Sequence, residues 1–154
     1  MQENLRDLLQ SFARREIDEE EALRRIKRQS FLAVGDVAKL DISRSDRIGI
    51  PEAILAEGKD SSDLVAISLA HLSATGSVII TRISPEQLQL LQTAKLPGAS
   101  SLEHNSKART VVIRSAKRQA KMGTVGVLAA GTADIPVAEE AAVVAEEMGC
   151  NVIS

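Results

Sequence analysis

The sequence predicts an α/β protein in two unequal parts: a small N-terminal α/β domain over residues 1–120, and the first strand and helix of a parallel sheet over residues 124–154. Three observations carry this. Two segments with helical periodicity open the chain. The β-branched runs "SVIITRI" and "RTVVIRS" are interleaved with helical segments through its middle. Near the end an apolar run without alternation, "TVGVLAAGT", feeds a helix and then "CNVIS". A strand apolar on both faces, followed by a crossover helix and a second strand, reads as a βαβ unit.

Composition sets the bounds. A chain of 154 residues with 44% apolar side chains can bury a core. The 21 acidic and 19 basic residues leave a net charge of −2, so no overall field recruits nucleic acid or an anionic membrane. A single cysteine, Cys150, excludes an intrachain disulfide. The opening "MQENLRDLLQSFARRE" lacks the apolar core of a signal peptide. No window approaches the ~18 apolar residues of a membrane span. The expected location is the cytoplasm.

The elements follow in order. Leu5, Leu8, Leu9 and Phe12 fall on one helical face, and the two leading helices are expected within residues 3–29. Asp18 and Glu21 form a capping-box start, with Ile17 placed to staple Ala22, so the second helix spans about 19–29. Between Phe31 and Lys59, Leu40 with Ile42 and Ile48 with Ile50 suggest two short strands joined by an irregular loop. Residues 61–73 read as a helix through Leu64, Ile67 and Leu72, and residues 77–83 as a buried strand. "SPEQLQLLQTAK" has Ser84 as cap, Pro85 at the first helical position and Gln87 completing the box. Residues 96–106 look turn-rich. A strand from Arg109 to Ser115 precedes "AKRQAKMG", a polar connector that marks the boundary. The last helix is expected from about Ile135 to Met148, with Gly149 as its C-terminal glycine.

Two segments could hold an anion. At "AAGTADIP" the chain leaves a parallel strand, turns at Gly131 and enters a helix whose first amides lack partners, with the Thr132 hydroxyl as a further donor. Asp134 is either the helix cap or a group that orients a ligand or moves a proton. An ordinary βα turn with an Asp cap would look the same. In "RIGIPEAILAEGK", Arg47 and Lys59 suit phosphates or carboxylates, Glu52 is placed to orient either base, and Gly49 and Gly58 let backbone approach a ligand. Arg82, at a strand end, joins this group more weakly. A loop with surface ion pairs is the plain alternative.

Other features carry less. Lys107, Arg109, Arg114, Lys117, Arg118 and Lys121 form a basic stretch, but without Trp or Tyr there is no stacking platform, so it reads as a solvated linker rather than a nucleic-acid site. His71 and His104 lack partners at metal spacing. Cys150, at the start of a strand, reads as a small apolar residue.

Taken together, "VGVLAAGTADIPVAEEAAVVAEEMG" and "RIGIPEAILAEGK", with "TR" at Thr81 and Arg82, resemble the LarB-like group of PurE-like (phosphoribosylaminoimidazole carboxylase) domains. That resemblance implies a PurE-like, flavodoxin- or Rossmann-like parallel sheet beginning near residue 124. It implies a parent enzyme of nickel-pincer cofactor biosynthesis that carboxylates the pyridinium ring of nicotinic acid adenine dinucleotide and hydrolyses its phosphoanhydride, releasing AMP. Carbon dioxide or bicarbonate is the implied co-substrate, Mg²⁺ the metal to test, and no covalently bound cofactor is implied.

By the same resemblance Gly131, Thr132 and Asp134 match the phosphate-proximal loop, and Pro136 and Glu139 the helix after it. Ala133 stands where the family usually has Ser, which removes one hydroxyl. The family's catalytic cysteine and glutamate lie beyond Ser154, so the resemblance implies an incomplete second domain, no catalytic residue in this chain and no activity of the chain alone. It also implies a homo-oligomer, in keeping with the apolar face of Val137, Ala141, Val144, Ala145 and Met148. Two other classes stay open: a freestanding nucleotide-binding or regulatory module without catalysis, and an interaction domain that pairs through its first helices.

Overall fold

The computed structural model describes residues 5–29, 31–44, 49–115 and 123–154, and shows a mixed α/β architecture. Two short helices come first, α1 (Leu5–Ala13) and α2 (Glu19–Gln29). The Asp18 carboxylate caps α2 by accepting from the Glu21 amide at 2.7 Å, and Glu21 turns forward to accept from Arg25 Nε at 2.7 Å. The expected apolar face of α1 is only partly used. Leu8 is fully buried, whereas Leu9 and Phe12 remain about half exposed, because a two-helix pair this short covers one row of side chains.

A hairpin follows that the sequence reading did not anticipate in this form. Strand β1 (Phe31–Val34) pairs antiparallel with β2 (Ala38–Asp41) across a turn in which Gly35 takes φ +51°. The second expected strand lies later than Ile48 and Ile50, at β3 (Ala53–Leu55). Ile50 is exposed, and Ile48 and Arg47 fall outside the described residues.

The main sheet has the order β3-β4-β6-β5. From β3 the chain crosses through α3 (Ser61–Thr75) to β4 (Ser77–Thr81), which pairs parallel with β3. Helix α3 is capped by Asp60, which accepts from the Ser62 amide at 2.8 Å, and it ends at Gly76 in the left-handed region. Helix α4 (Pro85–Thr93) carries the complete Ser84–Gln87 capping box. Strands β5 (Ser101–Asn105) and β6 (Thr110–Arg114) then form an antiparallel hairpin, and β6 also pairs antiparallel with β4.

β5 corrects the turn-rich reading of residues 96–106. "SLEHN" is polar because it is an edge strand whose side chains are largely exposed. The core lies between the sheet and the two helices: Val78, Ile80, Val111 and Ile113 from the strands meet Leu64, Ile67, Leu72 and Leu91. Since alternate side chains point to opposite faces, Thr110, Val112 and Arg114 lie on the other face of β6, and all three are buried as well.

Part of what covers that second face is α5 (Ile135–Glu147), which belongs to the C-terminal unit. There β7 (Gly123–Gly126) pairs parallel with β8 (Cys150–Ile153). β7 is shorter than the expected strand and exposed along its length, because within the described residues it has β8 alone as a strand neighbour. Leu128, Val137 and Ile153 stay mostly exposed.

Candidate functional site

Strand directions decide which candidate residues can meet. β3 and β4 are parallel and β6 is antiparallel to β4, with Leu55 opposite Thr81 and Ile80 opposite Val111. The C-terminal ends of β3 and β4 and the start of β6 therefore share one end of the sheet. This is where the loops after parallel strands place ligand-binding groups in open α/β sheets.

That end holds Lys59, Arg82 and Arg109. After β3 the chain turns through Gly58 at φ +77°, and the Lys59 amide donates to the Ala56 carbonyl at 3.0 Å. The buried Gln87 side chain fixes this turn from α4, its Nε2 donating to the carbonyls of Ala56 at 3.0 Å and Lys59 at 2.9 Å. Its Oε1 accepts from the Ser84 amide at 3.0 Å. One amide side chain thus ties the loop after β3 to the start of α4 and leaves the Lys59 side chain exposed.

Arg82 and Arg109 are adjacent and both have left-handed backbones, φ 54° and 52°. For a residue with a Cβ that conformation costs roughly 1–3 kcal/mol and persists only where neighbours enforce it. The Ile83 amide donates to the Arg109 carbonyl at 2.9 Å, and the Arg109 guanidinium donates to the carbonyls of Ile83 and Arg82, each at 3.3 Å. Arg82 projects outward and pairs with Glu57 at 3.2 Å, both side chains about half exposed. Arg109, read from sequence as part of a solvated linker, belongs to this edge. Its signal is the backbone strain, which a side-chain pattern does not display.

The Gly131 loop approaches the same end. Asn105, at the end of β5, accepts from the Lys107 and Ala108 amides and donates through Nδ2 to Glu139 of α5 at 3.0 Å. At the other end of β6, Arg114 donates to both Glu103 and Glu147. Glu139 to Glu147 is about 12 Å of helix, and Thr110, the partner of Asn105, to Arg114 is about 13 Å of strand. Helix α5 therefore runs along β6 in the same direction, with its N-terminus toward the Arg82–Arg109 end.

The loop itself differs from the capping expectation. Thr132–Asp134 form a single 3₁₀ turn in which the Asp134 amide donates to the Gly131 carbonyl at 3.0 Å. Asp134 has helical dihedrals and its side chain makes no capping bond, so the cap reading is set aside. The carboxylate lies beside Gly131, where an added Cβ would come within 3.3 Å of Asp134 Oδ2. Gly131, Thr132, Ala133 and Asp134 are all exposed.

Glu52 goes elsewhere. It precedes β3, while Lys59 follows it, and β3 is about 10 Å long. No ion pair joins the two among the described residues, so Glu52 does not orient Lys59. It lines a cavity with His71 at the opposite end of the sheet. Cys150 is likewise distant: it pairs with Gly123 at the start of β7, whereas the Gly131 loop follows the Gly126 end, about 10 Å away along the strand.

Arg114 corrects the linker reading further. Its guanidinium is only 7% exposed and is held between two carboxylates. The hydrogen bonds to Glu147 raise its pKa above the ordinary arginine value, burial opposes this, and Glu103 adds to the rise. Lys117, Arg118 and Lys121 fall outside the described residues. No group of three His, Cys, Asp or Glu side chains suited to a metal occurs among the described residues. No helix among them is long and apolar enough to cross a membrane.

Comparison with known proteins fits this architecture. The chain is similar to an uncharacterized protein of Methanocaldococcus jannaschii, 35% identical over an alignment of 156 residues that takes in 100% of this chain and 61% of the relative. It thus spans about three fifths of the length of the curated relative it matches. The family model described as the LarB/PurE-like N-terminal domain matches residues 31–116, from β1 through β6 and on past Ser115. The chain belongs to the LarB/PurE-like N-terminal domain family.

Proposed function

We propose that this chain provides the dinucleotide-holding part of a LarB-like enzyme that carboxylates the pyridinium ring of nicotinic acid adenine dinucleotide and hydrolyses its phosphoanhydride. The LarB/PurE-like family includes carboxylases, which supports an enzymatic parent in general terms. The observation that carries the reading is the gathering of Lys59, Arg82 and Arg109 at the sheet end toward which the N-terminus of α5 points.

In this proposal Lys59 and Arg82 bind phosphate oxygens, and Arg109 fixes the Arg82 backbone from behind. Glu57 partly neutralises Arg82 until the more highly charged pyrophosphate displaces it. The Gly131 and Thr132 backbone and the Thr132 hydroxyl face the same ligand from α5. Asp134 lowers the affinity of that loop for an anion and selects a ligand that also brings a positive charge. A pyridinium ring is such a ligand, and its charge is what Asp134 would balance. Arg47 belongs to this set by its motif alone, since it lies outside the described residues.

The chemistry of carboxylation needs a nucleophile at the ring, and Cys150 is not placed to provide it. Carbon dioxide or bicarbonate is the co-substrate of the proposed reaction. Self-association is part of the same proposal, supported by the exposed Leu128, Val137 and Ile153.

The test is an amide-resolved NMR titration of the chain with nicotinic acid adenine dinucleotide. Shifts should cluster at Gly58–Lys59, Arg82–Ile83, Arg109 and Gly131–Asp134, and Arg82→Ala should weaken binding about tenfold, the value of one charge-assisted contact. Binding that leaves this end unperturbed would overturn the assignment.

A further inference from the structure

The opposite end of the sheet contains a cavity of about 320 Å³, lined by Asp41, Glu52, His71, Thr75 and Ser77 with apolar side chains between them. His71 is 96% buried, at 4% exposure. Its Nδ1 lies 3.0 Å from the Ser77 carbonyl oxygen. A carbonyl only accepts, so the ring proton sits on Nδ1 and Nε2 presents a bare lone pair. Burial lowers the His71 pKa, and the Ser77 carbonyl and the Glu52 charge oppose that, so the neutral ring prevails near neutral pH.

Among the described residues His71 Nε2 has no hydrogen-bond partner, and neither has Glu52 Oε2, although both atoms are buried. Two buried acceptors left without donors are costly, about 1–3 kcal/mol each. The Thr75 hydroxyl does not relieve them, since its single proton faces the carbonyls of His71 and Ser77 and its oxygen lies 3.1 Å from His71 Nδ1, not Nε2. Among the polar groups lining this space, a carboxylate and an imidazole lone pair thus both require a donor, and the carboxylate favours a positive charge.

We propose that this cavity is a binding site for a small organic cation carrying several N–H donors, of the primary ammonium or amidinium class. Neither atom has accessible surface as the side chains stand, so the wall opens slightly as such a group enters, giving one N–H to Glu52 Oε2 and another to His71 Nε2 while its charge balances Glu52. A divalent metal fits less well, because the described residues offer no cluster of three ligating side chains. The site is independent of the dinucleotide reading, being at the other end of β3 and β4.

The experiment uses the full 154-residue chain, labelled with ¹⁵N at histidine. His104, exposed on β5, serves as the internal control for His71. Ethylammonium and methylguanidinium are titrated against the Nε2 resonance, with tetramethylammonium as a probe of the same charge but no N–H. The expected result is a saturable shift of His71 Nε2 with the first two probes, none with tetramethylammonium and none at His104. Glu52→Gln should weaken it about tenfold or more, as loss of a charged acceptor requires. Ala74→Leu, a change at the cavity wall that leaves both polar groups in place, should block it while the thermal transition remains cooperative.

No saturable shift, an equal response to tetramethylammonium, or an unchanged affinity in both variants would overturn the proposal and leave ordered water as the occupant. Exclusion of both amines by Zn²⁺, with a metal-bound imidazole signature at Nε2, would overturn it in favour of a metal site. Failure of the dinucleotide to bind at Arg82 would not alter any of these readings.

Discussion

At Arg82 stability and the proposed function separate within a single residue. Its left-handed backbone is a strain that glycine would not feel, while its exposed guanidinium adds little to the core. Arg82→Gly should therefore leave stability unchanged or raise it by up to about 1 kcal/mol in urea denaturation, yet weaken dinucleotide binding. His71 makes a second prediction at this scale. Its pKa is lowered in the folded protein from 6.5, so the unfolded chain binds more protons just below that value and stability falls as pH drops through it. Urea midpoints at about pH 8 and about pH 5.5 should differ in the parent, and differ less in His71→Asn.

At the scale of elements, local signals were legible and long-range ones were not. The Ser84–Pro85–Gln87 start of α4 can be read from four adjacent residues, as can the Asp18 cap of α2, and both appear as expected. The second task of Gln87, bridging to Ala56 and Lys59, depends on a contact some thirty positions back in the sequence. Gln87→Leu should cost about 1–3 kcal/mol by stranding the Ala56 and Lys59 carbonyls, and hydrogen exchange should show the loop after β3 loosening first.

The β1–β2 hairpin and the β5 edge escaped the sequence for a related reason. β2 and β5 lack the apolar run that identifies β4 and β6, while β1 is apolar throughout but only four residues long, too short for periodicity to assign, and partners fix their pairing instead. Asp60 adds a pH test for α3. Its pKa is lowered from 3.8, first by the Ser62 hydroxyl and then by the Ser62 and Asp63 amides. The cap stabilises the folded state above that pH, so Asp60→Ala should be less stable than the parent near neutrality, and the difference should vanish as pH falls through 3.8 and below.

Across the whole molecule, two polar contacts orient α5 on the sheet: Asn105 with Glu139 at one end and Arg114 with Glu147 at the other. Their spacing matches the length of β6, which is why the N-terminus of α5 reaches the Arg82–Arg109 end. Sequence patterns placed Gly131 and Arg82 in separate motifs, and only the strand directions bring them to the same end and send Glu52 to the other. Arg114→Met should cost about 1.5–3 kcal/mol and raise hydrogen exchange in residues 135–147 before it affects β4 or β6. Replacing Glu147 by Leu in the same chain should recover part of that loss, since the buried carboxylate that Arg114 held is then removed together with its cation.

The central claim is that one end of this sheet holds a pyridinium dinucleotide, and amide-resolved NMR of the chain with nicotinic acid adenine dinucleotide tests it most directly. Saturable shifts are expected at Lys59, Arg82, Arg109 and Gly131–Asp134, and they should weaken in Arg82→Gly while the fold is retained. A spectrum unchanged at saturating ligand, or shifts confined to the Glu52–His71 end, would contradict it.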